Sequence, residues 1–478
     1  MCGVIGVSGT DQAAKEVFLG LITLQHRGQD AAGILSYDRC FHLVKNKGLV
    51  ESVFSREAIE SLSGNVAIGH NRYATIGRGS IQDVQPLLVN YPYGIGLVHN
   101  GNLVNYSQAK ERLQNEMRTE CLTSSDTETI LNWIARKLEG NDLNSLKTAV
   151  SDVFKNLLGS YSIVGLLGGS QNGALFAFRD VYGIKPLILG RKNNSYMVAS
   201  ESLPLHFLGY EIERDIDPGE LIYIDSKQKL HSVHLSNPEK IRPCMFEWVY
   251  FASAESEIEK MPVYGVRLEL GRRLGEKIEE KIQTGEFEID VVAPVPDTSR
   301  TAATAISELL KLPYRELLIK NRYIKRTFIL DSQEKRQAAV DLKLNPVRTE
   351  IKGKNVLLVD DSIVRGTTSK KIVQLVRDAG AKKVYFVSTC PPIRFPCFYG
   401  IDFPDQKELI AFGKDEDQIA KELGADGVVY LDQANLAQAL SEKVKKPCMA
   451  CLDGKYPTDI GQSARFAALR TEQRSVSL

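Results

Sequence analysis

The sequence predicts two domains: a first half of short alternating strands, then an α/β second half with a mostly parallel sheet. Three observations support this. Val356-Leu357-Leu358-Val359 is an apolar run of the kind that forms a strand buried on both faces. Asp360-Asp361, a short polar loop and helical spacing of apolar residues over 372–379 follow it. Strand-like runs at 291–295 and 384–389 flank it, and strands that alternate with helices form parallel sheets through right-handed crossovers. A polar stretch over 226–240 separates the halves, which places the boundary near Lys240 and gives domains of 2–240 and 241–478.

The 478 residues suffice for two or three domains with sizeable cores. Hydrophobic content of 43% and charged content of 25% are those of an ordinary soluble globular protein. Lys and Arg (60) balance Asp and Glu (59), so no global charge points to nucleic acid. No apolar run reaches membrane-spanning length, and the N-terminus lacks the pattern of a signal peptide. The expectation is a cytoplasmic protein with neither a membrane nor a nucleic-acid partner. Eight cysteines lie at 2, 40, 121, 244, 390, 397, 448 and 451. In such a chain they suggest a reducing compartment, and chemistry or metal rather than disulfides.

The chain begins Met1-Cys2-Gly3. Removal of Met1 leaves Cys2 with a free α-amine, which titrates near pH ~8 and can serve as base to its own thiol. The bland alternative is a passive cysteine at a frayed terminus. Gln25-His26-Arg27-Gly28 is a turn before a strand, and Gly69-His70-Asn71-Arg72-Tyr73-Ala74-Thr75 follows another at 66–68. Leu97-Val98-His99-Asn100-Gly101 reads as a strand ending in an Asn-Gly hairpin turn. Ser124-Ser125-Asp126-Thr127-Glu128 opens a helical pattern with Asp126 as a candidate cap. Arg179-Asp180-Val181-Tyr182-Gly183-Ile184-Lys185-Pro186 and Ala199-Ser200-Glu201-Ser202 sit between short strands.

In this order the motifs resemble the class II glutamine amidotransferase domain, an N-terminal-nucleophile hydrolase fold, over roughly residues 2–235. The resemblance implies an α+β domain of stacked antiparallel sheets between helices. It implies that Cys2 attacks the side-chain amide of glutamine, with the Asn100 side chain and the Gly101 N–H as oxyanion hole. Arg72 would hold the α-carboxylate of glutamine and Asp126 its α-ammonium, with Arg27 and Thr75 completing the site. Read without the resemblance, Arg72 is a surface ion pair of little worth.

In the second half, Asp360-Asp361 can accept hydrogen bonds from a sugar diol, and the following loop and helix start can cradle a phosphate. Together they describe a ribose 5-phosphate site. Residues 356–369 resemble the phosphoribosyl pyrophosphate (PRPP) motif of type I phosphoribosyltransferases. That resemblance puts PRPP on Asp360, Asp361, Arg365, Gly366, Thr367, Thr368 and Ser369. It makes Asp297-Thr298-Ser299-Arg300 the pyrophosphate loop, with Mg²⁺ near Ser299, Asp360 and Asp361. Ser299 is also plausible as a plain helix cap. Residues 320–348 are basic, which reads either as a solvated face or, by resemblance, as a lid whose Lys343 reaches the pyrophosphate.

Cys448-Met449-Ala450-Cys451 is a CxxC near the C-terminus, and CxxC serves redox, zinc or iron–sulfur chemistry. No second CxxC or nearby His supports zinc, and the context is not that of a thioredoxin start. By resemblance, Cys244, Cys390, Cys448 and Cys451 match the layout of a [4Fe–4S] cluster, with Cys397 competing with Cys390. The whole chain is similar to the glutamine phosphoribosylpyrophosphate amidotransferases of the iron–sulfur kind. Membership implies that glutamine, PRPP and water give 5-phospho-β-D-ribosylamine, glutamate and pyrophosphate, the entry step of purine synthesis. It further implies internal passage of ammonia, Mg²⁺ and [4Fe–4S] as cofactors, purine-nucleotide feedback and a homotetramer. With only Met1 ahead of Cys2, methionine removal is expected to suffice for maturation. A different synthase on the same first domain would not need the acid-pair motif, and a non-catalytic PRPP sensor would not need Cys2 and Asn100-Gly101.

Overall fold

The computed structural model describes residues 1–73, 80–169, 173–236, 241–320, 344–403 and 405–461. The first domain is a sandwich of two antiparallel sheets. One is seven-stranded, in the order Glu211–Asp215, Ile188–Lys192, Ser195–Ala199, Gly3–Ser8, Val66–Arg72, Ala31–Asp38, Cys40–Lys47. The other is six-stranded, in the order Leu230–His234, Glu220–Ile224, Ala174–Arg179, Gly159–Leu167, Ile95–Leu103, Leu87–Val89.

Alternation along the strands explains the layering. Val4 packs between the sheets with Ile68, Val98, Val164 and Val198. Its neighbour Ile5 points outward, onto Val17 and Leu21 of the helix Ala13–Thr23. The second sheet turns Leu97 and Phe176 outward onto Ile130, Ile134 and Val150 of the helices Asp126–Lys137 and Leu143–Asn156. The result is two sheets between helical layers, as expected.

The second domain has a four-stranded parallel sheet, ordered Val291–Pro294, Asn355–Asp360, Lys383–Ser388, Gly427–Tyr430. Both faces are covered, which is why 356–359 is apolar without alternation. Leu357 and Val359 face Leu270, Leu274 and Ile306 of the helices Val263–Gln283 and Arg300–Leu310. Val356 and Leu358 face Ile372, Val373 and Val376 of the helix Thr367–Asp378. The strands Leu318–Lys320 and Leu344–Pro346 form a short antiparallel ladder at the two ends of the basic stretch. The residues between them, expected by resemblance to form a lid and including Lys343, lie outside the described residues.

The domains share one apolar cluster. Met1, Val104 and Ile184 of the first pack with Met245, Phe246 and Trp248 of the second. Each fully buried large side chain contributes ~1.5–3 kcal/mol. The expected boundary at Lys240 also lies outside the described residues; Leu230–His234 precedes it and Cys244 follows.

Candidate active sites

Cys2 stands one residue before the strand Gly3–Ser8, and Gly3 pairs with Asn71 of Val66–Arg72. The antiparallel register brings Arg72 level with Cys2. The Cys2 backbone N–H donates to Asn100 Oδ1 at 3.1 Å, and its Sγ lies 3.7 Å from the Tyr73 carbonyl. Asn100 is buried, and its Nδ2 has no partner. A buried amide donor left open beside a thiol is the arrangement an oxyanion hole requires. Burial pushes the α-ammonium of Met1 down to about 5, Cys2 opposes this, and Lys185 and Arg27 add to it. The Met1 amine is therefore held neutral.

Three local readings change. Asn100-Gly101 is not a hairpin turn: the strand Ile95–Leu103 runs through it, with Gly101 paired to Tyr161. Gly101 has φ of +150°, and a Cβ there would lie 1.9 Å from the Ser160 carbonyl oxygen, so glycine lets the strand continue. Asp126 is not the cap of its helix; Ser125 is, accepting from Thr127 N–H. Asp126 Oδ2 instead accepts from Leu103 N–H at 3.0 Å, which ties it to the strand Ile95–Leu103. Arg72 is buried rather than a surface residue. Arg27 is also buried, with Nη1 3.1 Å from both Glu201 Oε1 and Glu247 Oε2. Thr75 lies outside the described residues.

In the second domain the acid pair ends the strand Asn355–Asp360. Ser299 Oγ donates to Asp360 Oδ1 at 3.3 Å, Ser362 Oγ donates to Asp361 Oδ1 at 2.7 Å, and Thr298 Oγ1 donates to Asp361 Oδ2. Ser299 makes no capping bond to its own helix, so its hydroxyl serves the acid pair instead. Burial first, and then the charge of Asp361, raise the Asp360 carboxyl well above its usual range. Burial likewise raises Asp361. Two such acids call for a cation or for hydroxyl donors.

The helix expected from Ile372 begins earlier, at Thr367. Gly366 precedes it with φ of +75°, and a Cβ there would meet Ile410 Cδ1 at 2.3 Å. Thr367, Thr368 and Ser369 therefore form the first turn, whose N–H groups lack partners within the helix. With the positive end of the helix dipole, this turn suits a phosphate. Arg365 is half-exposed and pairs with Glu408 at 2.8 Å. Lys320, in the strand that precedes the basic stretch, pairs with Asp297 at 2.7 Å.

Residues 70–206 match a family described as glutamine amidotransferase domain, and residues 267–394 match the phosphoribosyl transferase domain. The amidophosphoribosyltransferase of Escherichia coli is 44% identical over 92% of this chain and 88% of its own length. That of Methanocaldococcus jannaschii is 41% identical, over 96% and 98%. The chain belongs to the amidophosphoribosyltransferase family. It is thus a two-domain enzyme of glutamine-dependent PRPP amidotransfer in purine biosynthesis. Solved amidophosphoribosyltransferases agree in fold. The glutamine PRPP amidotransferase of B. subtilis, complexed with ADP and GMP, aligns with a TM-score of 0.85 at 38% identity, over 96% of this chain and 98% of that one. A structure described as the allosteric regulatory enzyme of purine biosynthesis gives 0.87 at 37%, over 98% and 99%. Among the described residues no helix is long and apolar enough to cross a membrane.

Five buried cysteines gather where the tail meets the start of the second domain. Cys244 and Cys448 form a parallel bridge, with Cys448 N–H donating to Pro243 O at 2.8 Å and Met245 N–H to Cys448 O at 3.3 Å. Cys451 feels Cys390, Cys397, Cys244 and Cys448, and burial raises its thiol well above its usual value. Burial pushes Cys244 up to about 11. Cys244, Cys390, Cys448 and Cys451 are free thiols. A zinc tetrahedron would hold its sulfurs ~3.8 Å apart. Among the described residues no three cysteine sulfurs lie within 4.8 Å of one another. Cys397 Sγ accepts from Tyr399 N–H at 3.4 Å.

Several contributors were not singled out from sequence. Thr298 bonds Asp361, and Glu201 and Glu247 share Arg27. The cue for Thr298 was its place beside Ser299. Glu247 gave none, since it lies in an aromatic segment far from any motif.

Proposed function

We propose that the Cys2 thiol is the glutaminase nucleophile and that ammonia formed there passes to PRPP at Asp360-Asp361. The open Asn100 Nδ2 beside Cys2 carries the reading. After loss of Met1, the Cys2 α-amine takes the thiol proton, and sulfur attacks the amide carbon of glutamine. Asn100 Nδ2 and Gly101 N–H stabilise the oxyanion. The C–N bond breaks, the nitrogen leaves as ammonia with the proton, and water frees glutamate from the thioester. Arg72 and Asp126 orient the substrate's charged ends, with Arg27 and Thr75 behind them.

At the second site, Asp360 and Asp361 hold the ribose hydroxyls, and Arg365, Gly366, Thr367, Thr368 and Ser369 hold the 5-phosphate. Lys343 and the lid cover the pyrophosphate and exclude water. Ammonia attacks C1 as the C1–O bond to pyrophosphate breaks. The acid pair fits Mg²⁺, because two mutually repelling buried carboxylates are relieved by a divalent cation. Ser299, Asp360 and Asp361 would hold it, and it would offset charge on the leaving pyrophosphate.

The cysteine nest fits a [4Fe–4S] cluster, since buried cysteines stand close to one another where the tail meets the domain start. Cys244, Cys390, Cys448 and Cys451 would be its ligands, and it would pin the tail to the domain start. Purine-nucleotide feedback is supported by the ADP and GMP bound to the B. subtilis relative. A cytoplasmic homotetramer completes the reading. Assaying glutamine hydrolysis with and without PRPP tests it: hydrolysis that needs Cys2 and rises with PRPP is expected, and hydrolysis by Cys2→Ala would refute it.

A further inference from the structure

A turn of the second domain backs the oxyanion strand of the first. Ser160, the ladder partner of Asn102, donates its buried hydroxyl to the Tyr399 carbonyl at 3.0 Å. Gly400 follows with φ of +96°, and a Cβ there would lie 3.4 Å from the Gly101 carbonyl carbon and 3.5 Å from its Cα. The Asn102 side chain, oriented to satisfy its hydrogen bonds, donates to Gly101 O at 2.6 Å and accepts from Gly400 N–H at 3.3 Å. Gly101 is thus braced on one side by Ser160 and on the other by backbone of the second domain.

The same segment begins at the other site. Thr389 and Cys390 donate their N–H groups to the carbonyls of Asp360 and Asp361, at 3.1 and 2.8 Å. Residues 389–400 therefore run from the acid pair to the oxyanion strand, hydrogen-bonded at both ends and buried at Cys390, Cys397 and Tyr399.

We infer that Gly400 is a positioning residue for the glutaminase half-reaction: the Tyr399-Gly400 turn holds Gly101 where its N–H meets the oxyanion. The inference rests on the assignment of Cys2, Asn100 and Gly101 above. An oxyanion donor acts only on charge that develops in the transition state, and misplacement by about an ångström costs ~10²-fold. The signature is a lower kcat at an unchanged KM for glutamine. A residue needed only for folding lowers every activity of the chain together.

The test uses full-length Gly400→Ala and Ser160→Ala, assayed for glutamine hydrolysis and for PRPP turnover with added ammonia, which bypasses Cys2. Gly400→Ala is expected to lower glutaminase kcat ~10- to 100-fold with KM little changed and the ammonia-dependent rate retained. Ser160→Ala removes the bond to Tyr399, together with the 3.3 Å bond that Ser160 Oγ accepts from Asn102 N–H, without backbone strain, and is expected to act in the same direction more weakly. It decides the matter if Gly400→Ala does not fold. Wild-type kcat in Ser160→Ala and in any folded Gly400→Ala, a change confined to KM, or parallel loss of both activities in Ser160→Ala would overturn the inference. Glutamine hydrolysis surviving in Cys2→Ala would show instead that the site assignment beneath it is wrong.

Discussion

Glu247 reaches across the domain interface to Arg27, its Oε2 lying 3.1 Å from Nη1, with both side chains buried. Glu201 of the first domain takes the same guanidinium at 3.1 Å and accepts as well from Ser253 N–H and Ser256 Oγ of the second. His26 adds its Nε2 to Glu201 at 2.8 Å, while its Nδ1 faces the Thr23 carbonyl at 3.2 Å. Both ring nitrogens thus face acceptors, and Glu201 draws on Arg27, His26 and two groups of the second domain.

Removing one member leaves buried charge uncompensated. Glu247→Gln is expected to cost ~3 kcal/mol of stability. Urea unfolding of the full-length protein measures it as a lower midpoint.

Acid should loosen the same contact. Burial alone would raise the Glu201 carboxyl, but Arg27 and His26 outweigh it and hold the group at about 2, against 4.5 ordinarily. A depressed carboxyl stabilises the fold fully above its unfolded pKa, and that contribution is lost as pH falls from 4.5 toward 2. Unfolding midpoints should fall across that window, and Glu201→Gln should flatten the slope.

Asn100→Ala removes the open donor beside Cys2. Glutaminase kcat is expected to fall ~10²- to 10³-fold, with ammonia-dependent turnover of PRPP preserved. Steady-state kinetics with each nitrogen source separates the two.

The acid pair should trade stability for function. Asp360 is raised well above its usual value, so its charged form opposes folding once pH exceeds the unfolded pKa. Asp360→Asn is expected to melt higher than the wild type at neutral pH without added metal, and to lose PRPP turnover. Mg²⁺ should raise the melting temperature of the wild type but not of the variant. Differential scanning fluorimetry reads all of these shifts.

For the cysteines, Cys448→Ser is expected to abolish iron binding in anaerobically purified protein, and Cys397→Ala to retain about four irons per chain. Iron analysis and the visible spectrum decide between Cys390 and Cys397 as ligand.

Both domains were legible in the sequence because their signals are local. The run 356–359 alternates between two covered faces, and the acid pair and phosphate turn follow it within ten residues. Gly101 misled, since Asn-Gly is the commonest hairpin signal and only the 1.9 Å approach of the Ser160 oxygen explains the glycine inside a strand. The helix starts at Thr367, ahead of its apolar spacing, because its first turn is polar and carries no hydrophobic residue to mark it. Arg27 with Glu247, and Gly101 with Gly400, are separated by hundreds of residues and by a domain boundary. No periodicity or spacing reports such contacts.

Met1 is buried among Ile184, Cys244 and Trp248, and the last two arrive with the second domain. A peptidase can reach that methionine only while this cover is missing. Synthesis from the N-terminus, at ~5–20 residues per second, leaves the end open until the later residues emerge and fold. On the role proposed for Cys2, its activation is thus a race between trimming and closure. Overexpression that outruns the peptidase would leave finished molecules sealed with the methionine inside, and these would still use ammonia but not glutamine.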